Sequence, residues 1–232
     1  MSDFDEAMAV TMHAYEQIAS SYADHHTAAT LSDFWKERMQ RFARTVRENP
    51  LYQEQPSLPI LDAGCGPGRD ALLLAQMGFE VLAVDLSEAM LTEARCRCQQ
   101  QPEAQHITFR QMDMRALPLP DASCAGVWAS ASFLHIPKKE NLTVLKELLR
   151  VLVLDGPIMV IVKEDDGGEL ERYDVHEQTR MLRFYARYRG SELWALLEQA
   201  GVQVLEMTTT IDTRFANSPR WLGALGVKPP KN

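Results

Sequence analysis

With 232 residues, 46% of them hydrophobic and 24% charged, the chain can build one sizeable core and has the composition of an ordinary globular protein. Its formal net charge of −8 weighs against nucleic acid as a partner, because that binding runs on Lys and Arg displacing phosphate counterions. No apolar run approaches the roughly 18 residues that span a bilayer, and residues 1–6 are acidic with no basic, apolar leader, so a cytoplasmic location without membrane contact is expected.

Residues 5–48 read as two helices: Ala7, Val10, Ala14, Ile18 and Tyr22 recur at three- and four-residue steps, and Phe34, Arg38, Phe42 and Val46 continue the rhythm after a polar break. Pro50, Pro56 and Pro59 then punctuate the chain. They separate an N-terminal helical lid, 1–50, from the body of the domain, 51–232. From Ile60 onward short apolar strands are expected at 59–63, 80–84, 106–109, 124–129, 157–163, 202–209 and about 219–226. Helices at about 68–77, 87–99, 138–152 and 190–200 separate most of them. Such alternation predicts an α/β fold, a mostly parallel sheet with helices on both faces. Ligands of such sheets bind beyond the carboxyl ends of the strands, so functional residues are expected just after each strand. Cys65, Cys96, Cys98 and Cys124 are expected as free thiols. No metal site is expected, since Cys96 and Cys98 do not face each other on a helix and no further ligands stand at a recognisable spacing. Arg180, Arg183, Arg187 and Arg189 are spread by helical spacing and flanked by acids, which reads as a solvated face.

The most specific stretch is Ile60-Leu61-Asp62-Ala63-Gly64-Cys65-Gly66-Pro67-Gly68-Arg69-Asp70, an apolar strand running through three alternating glycines into a helix. A dinucleotide fingerprint places its third glycine one residue later, where this chain has Arg69. That spacing disfavours a nicotinamide oxidoreductase. Asp62-x-Gly64-x-Gly66-x-Gly68 resembles the first motif of the class I S-adenosylmethionine-dependent methyltransferases, of the small-molecule type. The resemblance implies a Rossmann-like sheet of seven strands, S-adenosylmethionine as cofactor and a small-molecule methyl acceptor. It places Gly64, Cys65, Gly66 and Gly68 under the methionine moiety, with Asp62 near its ammonium group. The cofactor carries positive charge and no phosphate, which suits an acidic loop.

Further matches follow the chain. Asp85 closes Val81-Leu82-Ala83-Val84-Asp85 about 20 residues past the glycine loop, the place of an acid that reads a ribose diol; the family uses it so, with Leu86 and Met90 lining the adenine. Gln111-Met112-Asp113-Met114-Arg115-Ala116-Leu117-Pro118 resembles the family's D-x-x-x-L-P stretch. That likeness implies Asp113 on the adenine amine and the Met114 N–H on a ring nitrogen. Ala129 and Ser130, at the end of the fourth strand, are expected to face the methyl donor. The loop lacks the Asn- or Asp-Pro-Pro-aromatic motif of nucleobase amine methylation and a strand-end carboxylate for metal-assisted chemistry, and Cys124 stands too early for a cytosine-carbon nucleophile.

His135 resembles a histidine beside the transferring methyl, and two roles stay open: a wall of the active site, or a general base acting near pH 7. The acidic loop Lys163-Glu164-Asp165-Asp166-Gly167-Gly168 either draws a cationic substrate or is simply solvated and mobile. Residues 183–201 resemble the segment that closes the family's sheet, with Tyr185 and Tyr188 in the pocket or in the core. Tyr15-Glu-Gln-Ile-Ala-Ser-Ser-Tyr22 resembles the element that lids the cofactor, which puts Tyr22 at its methionine end. A monomer or homodimer is expected. An RNA-modifying methyltransferase and a non-catalytic cofactor-binding module are the rival readings, and the acceptor atom is not encoded in these motifs.

Overall fold

The computed structural model describes residues 3–27, 31–175, 180–211 and 219–230. Seven strands form one sheet: β1 (Ile60–Ala63), β2 (Val81–Asp85), β3 (Ile107–Gln111), β4 (Gly126–Ser130), β5 (Pro157–Lys163), β8 (Gln203–Ile211) and β9 (Arg220–Val227). They lie in the order β3-β2-β1-β4-β5-β9-β8. The pairs through β5 are parallel, and β9 alone runs antiparallel to both its neighbours. The strand order reverses direction beside β1, so the carboxyl ends of β1 and β4 border the crevice where such sheets bind ligands. β1, β4 and β5 are apolar almost throughout because helices cover both faces.

One face is covered by α6 (Asn141–Val151) and α7 (Gly190–Ala200), whose Val144, Leu145, Leu148, Leu193 and Leu197 pack on Val127, Ala129 and Val160. The other carries α2 (Asp33–Glu48), α3 (Pro50–Glu54), α4 (Arg69–Gln76) and α5 (Glu88–Cys98). α2 buries Trp35, Met39, Phe42, Ala43 and Val46, a helical stripe set one residue off the expected Phe34 and Arg38 at its start. Phe42 meets Trp128 of β4 edge-on at 5.3 Å. Gly126 leaves room for that ring, since a Cβ there would stand 2.8 Å from Phe42. So α2 is built into the wall of the sheet, and α1 (Asp3–His25) is the helix laid over the crevice.

A short helix and a hairpin lie outside the expected set. Pro50 opens α3 rather than ending a segment: the ring suits the first helical position, and Asn49 Oδ1 accepts the Tyr52 N–H at 3.2 Å. Between β5 and α7 the chain also forms an antiparallel hairpin, β6 (Glu171–Val175) with β7 (Leu182–Ala186). It docks under α1, where the Phe184 N–H donates to Thr11 Oγ1 at 3.0 Å.

Candidate active site

The carboxyl ends of the strands, α1 and the hairpin enclose a cavity of about 1180 Å³, above the usual size of a small-molecule site. Its floor is the loop between β1 and α4. Gly64 has φ +79°, and a side chain there would run into Ser132. Gly66 has φ +51° with nothing within 4 Å of where a Cβ would stand, so the loop presents bare backbone to the cavity. Gly68 caps α4 with φ +80° and backs onto Ala94 of α5. The Gly64 and Cys65 N–H groups both donate to the Val84 carbonyl, at 2.8 and 2.9 Å, which ties the loop to the end of β2.

Asp85 secures the next turn. Its Oδ2 accepts the Gly66 N–H at 2.8 Å and its Oδ1 the Ser87 N–H at 2.9 Å. Burial raises its carboxyl above the ordinary value, while the N–H groups of Ser87, Gly66 and Leu86 favour the anion. A carboxylate has about four acceptor sites, so these N–H groups leave capacity for a ribose hydroxyl. Asp62 is buried with Oδ2 lacking any hydrogen-bond partner among the described residues. Burial, with Asp70 and Asp85 close by, pushes its carboxyl well above the usual range. Arg69 pairs with Asp70 at 2.6 Å, and Asp70 also accepts the Trp128 Nε1–H at 2.9 Å. Burial opposes the charge of Asp70, yet the Arg69 guanidinium holds its carboxyl below the ordinary value. Three carboxylates against one guanidinium make this half of the cavity acidic. An orphaned buried carboxylate oxygen and a diol-ready acid fit the ammonium and ribose of S-adenosylmethionine.

Asp62, Gly64, Cys65, Gly66, Asp85, Leu86, Met90, Met114, Ser130, Tyr22 and His135 all line this one cavity. Gly68, Ala129 and Asp113 stand behind it. Ala129 is fully buried inside β4. Asp113 turns its carboxylate onto its own loop, accepting the Arg115 N–H at 2.9 Å and Arg115 Nε–H at 2.8 Å. Ser130 Oγ accepts the Trp35 Nε1–H at 2.9 Å. After it Ala131 takes φ +55°, a strained conformation for a residue with a Cβ and one that recurs at ligand sites.

At the other end His135 is buried. Its Nδ1 lies 2.7 Å from the Phe184 carbonyl, which can only accept, so Nδ1 carries the proton. Nε2 then accepts the Tyr15 hydroxyl at 2.8 Å, and Arg183 Nη1 donates to the same hydroxyl at 3.0 Å. Tyr22 stacks on His26 with centroids 3.7 Å apart and meets Tyr15 edge-on at 5.6 Å. Tyr185 also lines the cavity, with Lys163 Nζ 3.5 Å from its ring centroid. Tyr188 instead lies in the core, its hydroxyl accepting from Asn141 at 2.8 Å.

The acidic loop is exposed over 166–169, but its charges are paired: Glu164 with Arg220 at 2.5 Å, Asp165 with Arg189 at 3.0 Å, and Asp166 with Arg172 at 2.6 Å. The arginines 183 and 187, expected on a solvated face, are buried beside the cavity. Arg69, Tyr15, Lys163 and Arg183 are site residues that pattern reasoning passed over. Lys163 carried a usable signal, a charge closing the otherwise apolar fifth strand where ligands bind.

The chain matches the family model described as "Methyltransferase domain" over residues 60–156. It is 30% identical to methyltransferase GfsG of Streptomyces halstedii, covering 74% of this chain and 62% of that protein. It is 38% identical to a malonyl-[acyl-carrier protein] O-methyltransferase of Enterobacter lignolyticus, covering 71% and 64%. The chain thus spans a little under two thirds of the length of these curated relatives. A solved 1,6-didemethyltoxoflavin-N1-methyltransferase of Burkholderia thailandensis shares the fold with TM-score 0.67 at 21% identity, covering 99% of this chain and 92% of that one. The [4+2]-cyclase SpnF shares it with TM-score 0.63 at 19% identity, covering 82% and 81%, so the fold alone does not fix the reaction. Strand order, glycine loop and the methyltransferase-domain match over residues 60–156 together make this chain similar to the class I S-adenosylmethionine-dependent methyltransferases.

Proposed function

We propose that the chain transfers the methyl group of S-adenosylmethionine to a small-molecule acceptor. The observation that carries this reading is a single cavity whose acidic half matches the cofactor and whose other half is left for a second reactant. Bound there, the cofactor supplies a methyl group activated on a sulfonium. Asp62 holds the ammonium, Asp85 accepts the ribose hydroxyls, and Leu86, Met90 and Met114 make the apolar slot for the adenine. α1, through Tyr15 and Tyr22, and the hairpin, through Tyr185, close the space and exclude water. In-line displacement needs alignment above all, and proximity with orientation contributes about 7–11 kcal/mol in well-ordered systems. His135, its two ring nitrogens spent on Phe184 and Tyr15, serves here as a positioning wall. The four cysteines are free thiols, which supports a reducing, cytoplasmic setting. No helix of the described residues is long and apolar enough to cross a membrane.

The test pairs calorimetric titration of S-adenosylhomocysteine with a screen of phenols, carboxylic acids and amines for methylated product by mass spectrometry. Tight binding with a product 14 Da heavier in any acceptor class is the expected result, the mass following from one added CH₂. Absence of binding to the native chain would sink the reading.

A further inference from the structure

Lys163 ends β5 at the cavity wall, its backbone fixed by the Tyr188 N–H, which donates to the Lys163 carbonyl at 3.0 Å. The carboxylates around it are taken by other cations. Asp166 and Asp174 are shared between Arg172 and Arg187, Glu164 belongs to Arg220 and Asp165 to Arg189. No described carboxylate lies within ion-pair distance of Lys163 Nζ, whose nearest recorded contact is the Tyr185 ring. A largely buried ammonium with no anion beside it is expensive to keep, and the cost is recovered when a ligand brings the anion. The same cavity also has apolar lining, Met8, Met12, Leu134 and Ile136.

Resting on the methyl-transfer reading above, we propose that Lys163 is the acceptor's oxyanion subsite. The acceptor carries an acidic O–H (a phenol, enol or carboxylic acid) on an apolar body and is methylated as the oxygen anion paired with Lys163. Groups facing Lys163 come from every neighbouring element: Arg172 and Asp174 on β6, Arg183 and Tyr185 on β7, Arg187 just after it, and Asp166 on the loop. Burial and the Arg187 and Arg183 charges lower its ammonium to about 7, against the pull of Asp174. Near neutral pH the amine therefore takes the proton of a phenol or enol, the O–H bond breaking as an N–H forms on Lys163, whereas a carboxylic acid arrives ionised and pairs with the ammonium form. The freed oxygen pair then bonds the methyl carbon as the S–C pair leaves on sulfur, and Lys163 returns its proton to solvent. Lys163, unlike His135, holds no side-chain hydrogen bond to another described residue that must first be broken.

The experiment uses 4-nitrophenol, whose neutral and ionised forms absorb at different wavelengths, titrated against the full chain saturated with S-adenosylhomocysteine. The native chain, Lys163→Met and Lys163→Arg are compared, with calorimetry of S-adenosylhomocysteine on each. Native protein is expected to favour the phenolate by about tenfold or more, one unit of pKa. Lys163→Arg keeps that preference because it keeps the charge, and Lys163→Met loses it. A native chain without preference for the phenolate, or a Lys163→Met chain that retains it, overturns the proposal. Unchanged S-adenosylhomocysteine binding in all three separates that failure from failure of the cofactor reading.

Discussion

Asp85 anchors the Gly66 and Ser87 N–H groups at once, so it shapes the glycine loop and the start of α5, and in the proposed function it also accepts the ribose hydroxyls. Asp85→Ala removes the diol acceptor and loosens both turns. S-adenosylhomocysteine affinity is expected to fall by tenfold or more, about 1.4 kcal/mol, which calorimetry reads directly. Gly64→Ala acts on the same loop from the other side, through a φ of +79° that disfavours any Cβ and through collision with Ser132. The positions of these residues were legible in the sequence because they follow from a strand end and a fixed spacing. Asp113 illustrates the opposite. Its motif placed it correctly after β3, but the partner its carboxylate takes, Arg115 two residues on, depends on side-chain rotamers that the motif does not encode.

At the scale of elements, the contacts that shape the cavity run between segments far apart in the chain. α1 docks on β7 through one buried hydrogen bond, Phe184 N–H to Thr11 Oγ1 at 3.0 Å. Thr11→Val keeps the shape and strands that N–H, so a loss of about 1–3 kcal/mol is expected from urea unfolding. Gly126 performs the matching task on the other face of the sheet. Gly126→Val forces a side chain into Phe42 of α2, and overpacking of this kind costs about 1–3 kcal/mol, seen as a lower Tm. The main sheet was readable because β1, β4 and β5 are apolar runs set between periodic helices. The hairpin was not. Asp174 and Arg183 interrupt its pattern with charges; Asp174 is held by Arg172 and Arg187, and Arg183 by the Tyr15 hydroxyl.

For the whole molecule, a formal charge of −8 conceals an internal division: acids gather under the glycine loop, and Lys163, Arg183 and Arg187 gather beneath the hairpin. Lys163 makes the division measurable. Burial lowers its ammonium to about 7 in the folded chain from the ordinary 10.5, so between those values the unfolded chain binds the extra proton. Stability at this residue therefore rises as pH climbs from 7 toward 10.5, and the full cost of its charge is felt below 7. Lys163→Met is expected to raise Tm at pH 6 and to lose that advantage at pH 10, by roughly 2–4 °C for each kcal/mol relieved. Equal Tm differences at both pH values would contradict a depressed lysine.

The sequence by itself determined the sheet, its helices, the glycine loop and the placing of Asp85 at the end of β2, because each is written in local periodicity or in a short spacing that backbone geometry enforces. Only the tertiary structure decided which charges are paired, which tautomer His135 holds, and that Tyr185 faces the cavity while Tyr188 fills the core. Those outcomes turn on burial and on partners up to 173 residues away in the chain, and a linear pattern carries no record of either.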